Sequence, residues 1–474
     1  MVFEVNKICC IGAGYVGGPT MSVIADKCPH ITINVVDTNK LRINQWNDSD
    51  LEKLPVYEPG LKEIIKRCRN KNLFFSVNVQ KHIEEADMIF ISVNTPTKTK
   101  GIGAGKASDL KWIEASARQI GKYARGETIV VEKSTLPVKT AETIKEILLS
   151  SLKSGPENNC KLNKFFILSN PEFLAEGTAI NDLENPDRVL IGGEDKKAIE
   201  ALKAIFLNWV NGNKIITTDL WSSELSKLIA NAFLAQRVSS INSISALCEA
   251  TQANVNEVAN AIGMDKRIGK FFLNAGPGFG GSCFKKDILN LVYICNHYGL
   301  KEVANYWEKV LEINDWQKKR LTKLVVEKMF GNICGKKITV LGFAFKSNTN
   351  DTRESPAIAI CKDLLEEGCF LSIFDPKVGL NQIISDLEIN PAKDESNGNN
   401  LGGWHYANSI DDAVKGSDAI IILSDWQDFY NLDYKTIISK MRKPSWIFDT
   451  RNVVDINAAK KSGFNLWSLG RSNL

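Results

Sequence analysis

Histidine is scarce. The 474 residues contain four, His30, His82, His297 and His405, and none lies at metal-ligand spacing from another. A His-rich metal centre or a His-based triad is therefore disfavoured, and no metal site is expected. Cysteines number eleven, an odd count, and no C-x-x-C pair occurs. The thiols are read as reduced rather than as a disulfide framework. No apolar run approaches the ~18–20 residues of a membrane span. The N-terminus runs straight into a strand-like segment, with no secretory signal before it. Together these predict a cytoplasmic protein without a membrane segment. An excess charge of one sign is also missing. Lys+Arg is 59 against Asp+Glu 55, a formal net charge of +4, which gives no broad field for nucleic acid or a membrane surface. An anionic small molecule would need only a local basic pocket.

What is present is an ordinary globular composition, 44% hydrophobic and 24% charged. At ~100–200 residues per domain the length suits two to four domains. The first third alternates short apolar strands with helical stretches. Strands are predicted at Lys7 to Ile11, Ile31 to Val36, Met88 to Val93, Thr128 to Val131 and Phe165 to Leu168. That alternation predicts a parallel, doubly wound sheet. From about Ser222 to Ala250 the period becomes helical, with Leu225, Leu228, Ile229, Ala232 and Phe233 three or four apart. Further helices run to about Lys328. Strands resume at Lys337 to Leu341, Phe370 to Phe374, Ala419 to Leu423 and Trp446 to Phe448. The polar stretch Glu395 to Gly403 reads as a solvated loop. The fold class expected is α/β, with two Rossmann-like doubly wound domains joined by a long central helix and a helical segment. Boundaries fall at 1–216, 217–328 and 329–474.

The first motif is Gly12-Ala13-Gly14-Tyr15-Val16-Gly17, between the strand ending at Ile11 and a helix. Gly12 permits a tight turn, Gly14 lets backbone approach a pyrophosphate, and Gly17 allows close helix–strand packing. Asp37 lies twenty residues after Gly17, at the end of the second strand. Its carboxylate suits a ribose 2′-OH and repels a 2′-phosphate, so NAD fits better than NADP. Arg42, nearby, is the kind of residue that tolerates a 2′-phosphate. The bland alternative is a glycine turn that binds nothing.

The second is Gly276-Pro277-Gly278-Phe279-Gly280-Gly281-Ser282-Cys283, followed by Phe284, Lys285, Lys286 and Asp287. A helix is predicted to start near Cys283. A thiol there, one turn from Lys286, is expected to have a lowered pKa, and Asp287 falls on the same face. A thiolate attacks an aldehyde, and a neighbouring carboxylate activates water. The alternative is an ordinary buried thiol, which is the reading for the other ten cysteines. Lys227 and Asn231 share a face of the long helix. Lys227 is either a snorkelling surface residue or a cation aimed into a cleft. Glu172 and Glu176, in Asn170-Pro171-Glu172-Phe173-Leu174-Ala175-Glu176-Gly177, follow a strand end, where a ligand crevice lies in such sheets. The alternative is a solvated helix start. Gly342-Phe343-Ala344-Phe345-Lys346 resembles a degenerate nucleotide-binding turn. Lys346, Arg353 and Arg451 are cations near strand ends, as a diphosphate needs.

Taken together these stretches resemble the UDP-glucose/GDP-mannose dehydrogenase family, and within it the UDP-glucose 6-dehydrogenases. The likeness runs along nearly the whole chain: GAGYVGGPT, EKSTLPV, SNPEFLAEGTA, NPDRVLIGG, SSELSKLIANAFLAQR, GPGFGGSCFKKD, GFAFKSNTNDTRES and FDTRN. The resemblance implies an N-terminal NAD-binding domain, a central dimerisation segment and a C-terminal UDP-binding domain. It implies oxidation of UDP-glucose by two NAD+ and water to UDP-glucuronate. Cys283 would form a thiohemiacetal and then a thioester. Lys227 and Asn231 would stabilise oxyanions. Glu172 would act as general acid or base, and Asp287, with Thr135, would orient water. The cofactor set would be Ile11, Gly12, Ala13, Gly14, Tyr15, Val16, Gly17, Asp37, Arg42, Val93, Asn94, Thr95, Pro96, Thr97, Ser134, Thr135, Glu176, Lys286 and Arg353. The substrate would meet Glu172, Phe173, Leu174, Ala175, Glu176, Lys227 and Asn231. It would also meet the loop Asn274, Ala275, Gly276, Pro277, Gly278, Phe279 and Gly280, with Phe345, Lys346 and Arg451 on the uridine diphosphate. Arg267 would reach a substrate across a dimer interface. The resemblance implies a homodimer and leaves open its assembly to a hexamer.

Departures are few. Asn274 stands where some members have Lys, and an Asn/Gly-rich insertion surrounds Gly398. The chain also ends soon after its last expected strand. Competing readings are a dehydrogenase of GDP-mannose or of a UDP-N-acetylhexosamine, a two-electron hydroxyacid dehydrogenase that leaves Cys283 unused, and a silent nucleotide-binding protein.

Overall fold

The computed structural model describes residues 3–134, 140–153, 163–392 and 402–472. The chain forms two compact units, Met1–Ala230 with Leu289–His297 and Asn231–Ile288 with Tyr298–Leu474.

In the first unit, eight strands form one sheet: β1 (Lys7–Ile11), β2 (Thr32–Val36), β3 (Leu73–Ser76), β4 (Met88–Ile91), β5 (Glu127–Glu132), β6 (Lys164–Ser169), β7 (Val189–Gly193) and β8 (Ile215–Thr218). Their order is β3-β2-β1-β4-β5-β6-β7-β8. Every neighbouring pair is parallel except β6–β7, which is antiparallel. The central strands are apolar on both faces, as a sheet covered by helices requires. Alternate residues of β1 enter different layers. Ile8 and Cys10 pack with Met21, Ile24 and Trp46. Cys9 and Ile11 pack with Ile89, Ile113 and Ile144.

Five of these strands match the expected segments to within two residues at either end. The other three have physical reasons for escaping notice. β3 is a four-residue edge strand whose burial merely alternates. β8 is also an edge strand and largely exposed. β7 ends in two glycines, a loop signal in sequence. Here they are packing residues, since a Cβ on Gly193 would lie 2.5 Å from Leu168.

The second unit has a six-stranded, all-parallel sheet: β9 (Lys337–Leu341), β10 (Phe370–Phe374), β11 (Gly403–Tyr406), β12 (Ala419–Ile422), β13 (Trp446–Asp449) and β14 (Asn465–Ser468). The order is β11-β10-β9-β12-β13-β14. β14 was not among the expected strands. β11 begins at the end of the stretch read as a polar loop. It is held by the fully buried Trp404, which pairs with Leu371 of β10. The remainder of the Asn/Gly-rich stretch, with Gly398, lies outside the described residues except for Gly402.

The expected central helix is continuous over Leu220–Thr251, 32 residues. Its buried face is unusually polar, carrying Ser223, Glu224, Lys227, Asn231, Ser239, Asn242 and Ser245. Buried polar groups need partners, so this face is built for more than packing. Within the first unit Glu224 faces Glu132, the last residue of β5. Both are buried, and Glu224 accepts the Ala141 N–H at 2.7 Å. Burial and then the adjacent Glu224 carboxylate push the Glu132 carboxyl well above the usual carboxylate range.

Folded Glu132 therefore keeps a proton that the unfolded chain has lost. Folding takes up that proton, so stability falls as pH rises from the ordinary glutamate range towards the raised native value. Glu132→Gln is neutral at every pH and keeps a donor for Glu224. Its thermal midpoint is expected to fall less than that of the wild type between about pH 5 and about pH 8, leaving the variant the more stable by a few degrees at the upper end. Parallel midpoint curves would rule out the retained proton.

Candidate active site

In the first unit, the strand order reverses between β1 and β4, where ligands enter sheets of this kind. The turn after β1 sits there. Gly12 has φ +110°, and a Cβ on it would lie 2.4 Å from the Ser92 carbonyl oxygen. A Cβ on Gly17 would lie 2.0 Å from the Gly12 oxygen. Neither position tolerates another residue. Gly14 differs: no atom lies within 4 Å of where its Cβ would be. Open space beside a glycine just before the helix Gly17–Lys27 is the cradle a pyrophosphate needs. Ile11 and Ala13 are buried behind this turn, while Tyr15 and Val16 are half-buried at the helix start.

Asp37, at the end of β2, ties the turn together. Its Oδ2 accepts the Ala13 N–H at 3.0 Å and an Arg42 N–H at 3.1 Å, and its Oδ1 accepts the Asn39 N–H at 2.9 Å. Arg42 is thus paired to the acid that would meet the ribose. The segment Val93 to Thr97 follows β4, with Thr95 buried and Asn94 exposed. Ser134 donates to the Val93 carbonyl at 2.8 Å. Thr135 lies outside the described residues.

The strand end of β6 leads into Asn170 to Gly177, which is not helical; the next helix is Ala179–Glu184. The helix-start reading of Glu172 is therefore wrong. Its Oε1 accepts the Phe173 and Leu174 N–H groups at 2.9 and 3.2 Å, and its Oε2 is 2.8 Å from the Lys133 ammonium. Burial alone would raise the Glu172 carboxyl. Lys133, the Phe173 N–H and Lys227 overcome it and hold the group below the usual carboxylate range. Lys227 is buried, not a surface residue, and its ammonium lies 5.3 Å from the centre of the Phe173 ring. Arg188 covers that ring at 3.9 Å. Leu174 is half-buried, Ala175 exposed and Glu176 half-buried. Buried Glu58 accepts the Gly177 and Ala179 N–H groups at 2.7 and 3.1 Å, anchoring this loop.

In the second unit, Cys283 immediately precedes the helix beginning at Phe284 and is half-buried. Its Sγ is 3.4 Å from the Ser282 Oγ. Asp287, one turn on, is buried and accepts an Asn231 N–H at 2.6 Å. Lys286 lies 3.9 Å from the same carboxylate. Among the described cysteines only Cys283 and Cys334 are not buried. Burial pushes the Cys10 and Cys369 thiols up to about 12, which makes them poor nucleophiles.

The glycine loop before Cys283 is clamped from behind. Gly276 donates to Asn242 at 2.8 Å and accepts from Gln317 at 2.9 Å. Phe279 donates to Asn314 at 2.8 Å and accepts from it at 3.2 Å. Ala275 to Gly280 are buried and Asn274 is exposed. The expected diphosphate residues meet this loop. A Cβ on Gly281 would lie 3.1 Å from the Phe345 ring, and one on Gly276 would lie 3.0 Å from the Arg451 guanidinium. Arg451 also donates to the Leu423 and Phe345 carbonyls at 2.9 and 3.2 Å. Lys346 lies over the Phe345 ring at 5.6 Å. Arg353 pairs with Asp351 at 2.5 Å and offers its carbonyl to the Gly281 N–H at 2.7 Å. Arg267 is exposed and paired with Asp265 at 2.6 Å.

Sequence reasoning missed Lys133, Glu58, Asn242, Asn314 and Gln317. Lys133 carried a signal, a charge directly after an apolar strand inside EKSTLPV. The others act on backbone far away in sequence, where no local pattern reveals them.

Three family models match the chain: the NAD binding domain of the UDP-glucose/GDP-mannose dehydrogenase family over residues 6–210, its central domain over 221–316 and its UDP binding domain over 339–456. UDP-glucose 6-dehydrogenase 5 of Oryza sativa subsp. japonica is 55% identical, covering 98% of this chain and 97% of its own. UDP-glucose 6-dehydrogenase 1 of Glycine max is 54% identical over the same shares. The solved structure of a UDP-glucose dehydrogenase from the archaeon Pyrobaculum islandicum is 27% identical, with a TM-score of 0.81 over 99% of this chain and 98% of that one. With all three models matched in order and relatives above half identity along its length, the chain belongs to the UDP-glucose/GDP-mannose dehydrogenase family.

Proposed function

We propose that this protein oxidises UDP-glucose to UDP-glucuronate with NAD as the oxidant, through a thioester on Cys283. The observation that carries the reading is the half-buried Cys283 thiol. It sits at a helix start, one turn before a buried Asp287, at the end of a glycine loop packed on Phe345 and Arg451. A two-electron dehydrogenase has no use for such a thiol. The Gly12–Gly17 turn, with open space at Gly14 and Asp37 behind it, fits the dinucleotide.

The chemistry follows from the substrate. A primary alcohol loses a proton and a hydride to become an aldehyde. Bound NAD supplies the hydride acceptor for this and for the later oxidation. The Cys283 sulfur adds to the aldehyde carbon and the oxygen takes a proton, giving a thiohemiacetal. Loss of that proton and of a hydride from carbon leaves a thioester. Water adds, the C–S bond breaks, and the thiolate departs from the acid. In total one alcohol, two NAD+ and one water give a carboxylate, two NADH and three protons. The Lys227 ammonium and the Asn231 amide, one helical turn apart, stabilise the oxyanions. Glu172, held as a carboxylate, accepts a proton from the attacking water. Asp287 orients that water, with Thr135 from outside the described residues. Phe345, Lys346 and Arg451 with the glycine loop hold the uridine diphosphate.

The domain division that serves this is 1–216 for NAD, 217–328 for association and 329–474 for the UDP moiety. The central segment exposes Phe233, Met264, Phe271 and Tyr306, with Met264 at 83% and Phe271 at 75%. Such residues fit a second copy of the chain, and Arg267 lies among them in sequence. A cytoplasmic setting fits ten unpaired thiols among the described residues. No helix there is long and apolar enough to cross a membrane.

Two NADH are expected per UDP-glucose consumed, with a sugar acid identified by mass. Cys283→Ser is expected to bind NAD and UDP-glucose normally and to lose sustained turnover by a factor on the order of 10³ or more. Near-normal glucuronate formation by that variant would sink the thioester route. Asp37→Ala is expected to raise the KM for NAD roughly tenfold, about 1.4 kcal/mol, and to narrow the preference over NADP. Unchanged discrimination between the two cofactors would remove Asp37 from the ribose.

A further inference from the structure

The segment EKSTLPV contributes one side chain to which the reading above gives no task. Lys133 follows the last residue of β5 and is 3% exposed. Its ammonium has three protons to place. One is donated to Asn170 Oδ1 at 2.9 Å, and Glu172 Oε2 forms an ion pair with the ammonium at 2.8 Å. The Phe206 ring lies on a further side, 5.8 Å from the ammonium to its centre. Asn170 is itself fixed, because its amide donates to the Leu190 carbonyl at 2.8 Å. The lysine is thus set at a strand end, anchored by Asn170 and within 2.8 Å of one carboxylate.

Glu172 is the other half of the arrangement. Its Oε1 is used by the backbone of Phe173 and Leu174. Without Lys133 the second oxygen would sit in a largely buried cleft, with Lys227 as a further cation acting on it. The remaining charged groups of that cleft are Asp182 and Arg188. Asp182 is engaged by the Ala175 N–H and the Thr178 hydroxyl, and Arg188 is stacked on Phe173. Neither can replace the lysine.

We propose that Lys133 is the positioning residue for Glu172, fixing its carboxylate and supplying its counter-charge for the hydrolysis of the Cys283 thioester. This rests on the thioester reading. Glu172 must be ionised to take the proton of the attacking water and must keep one orientation while it does so. A buried ammonium at hydrogen-bond distance meets both needs. Both hydride transfers precede this step, and the proposal assigns Glu172 to the hydrolysis.

The test is rapid-mixing kinetics on full-length Lys133→Met and Lys133→Arg, with UDP-glucose and saturating NAD. Lys133→Met is expected to release close to two NADH per site in a burst. Its steady-state rate should then be lower by roughly 10–100-fold. A sugar-acyl adduct should accumulate on Cys283, seen by mass after acid quench. The acid limb of its hydrolysis rate should move to higher pH, since losing the cation favours the protonated carboxyl. Lys133→Arg should recover much of the rate. Glu172→Gln and the double variant Glu172→Gln/Lys133→Met should hydrolyse at the same rate. That comparison also serves if Lys133→Met alone fails to fold, because the double variant buries no lone charge. A wild-type steady state in Lys133→Met, or additive losses in the double variant, would overturn the proposal. So would a uniform loss of both hydride transfers. If neither wild type nor Glu172→Gln forms two NADH and an adduct, the thioester reading fails instead.

Discussion

The end of β5 sets the terms for the first unit. Two consecutive residues there, Glu132 and Lys133, are both buried. Successive strand residues point to opposite faces of a sheet, so each needs its own solution to the cost of burial. An unpaired ion in such a place costs several kcal/mol. Lys133 is answered by the ionised Glu172, and Glu132 by keeping its proton beside Glu224. One face therefore carries an ion pair and the other a carboxyl pushed towards its neutral form. Glu224 in turn lies one helical turn before Lys227 on the long helix. The strand end thus fixes the loop that carries Glu172 and the helix that carries Lys227.

The two sheets repeat one turn with different outcomes. In the first, Asp37 takes the Ala13 N–H after β1; in the second, Asp375 takes the Phe343 and Ala344 N–H groups after β9, at 2.7 and 3.0 Å. Both acids end the neighbouring strand. Asp375 is 2% exposed and also accepts from Lys377, Val378 and Trp426, so it has no capacity left for a ligand. Phe343, fully buried, fills the place that Ala13 holds in the first turn. The second turn has become a structural joint. In the proposed function the ligand-facing role falls instead to Phe345, Lys346 and Arg451 and to the glycine loop.

Much of this was legible in sequence, for reasons specific to the residues. The central strands β1, β4 and β12 are almost wholly apolar because helices cover both their faces, and β5 and β9 are mostly so, which makes them legible. Edge strands β3 and β8 are four-residue segments that bury only part of themselves, so their short apolar runs do not stand out. The Gly12–Gly17 turn was legible because sterics leave no alternative at Gly12 and Gly17. Cys283 was legible from the glycines before it and the helix after it. What could not be read were the partners of backbone groups. Asn242, Asn314 and Gln317 stand on helices with ordinary helical spacing, and Glu58 stands in a loop. Their task is defined by a segment far away in the chain.

Those hidden partners bear on the work proposed for the thiol. Ten described cysteines offer the same sulfur, and burial silences most of them. What separates Cys283 is its position at the end of a loop that cannot relax. A loop containing Gly276, Gly278, Gly280 and Gly281 would sample many conformations if left to itself. Here three buried amide side chains, Asn242, Asn314 and Gln317, take up its backbone groups from within the second unit. The glycines are then free to serve close approach to Phe345 and Arg451, where a Cβ would collide, without the loop losing its shape. The entropy of ordering the loop is met during folding and not when substrate binds. In the proposed mechanism a sulfur at the end of such a loop would meet the aldehyde carbon in a fixed geometry, as covalent capture of a reactive intermediate requires.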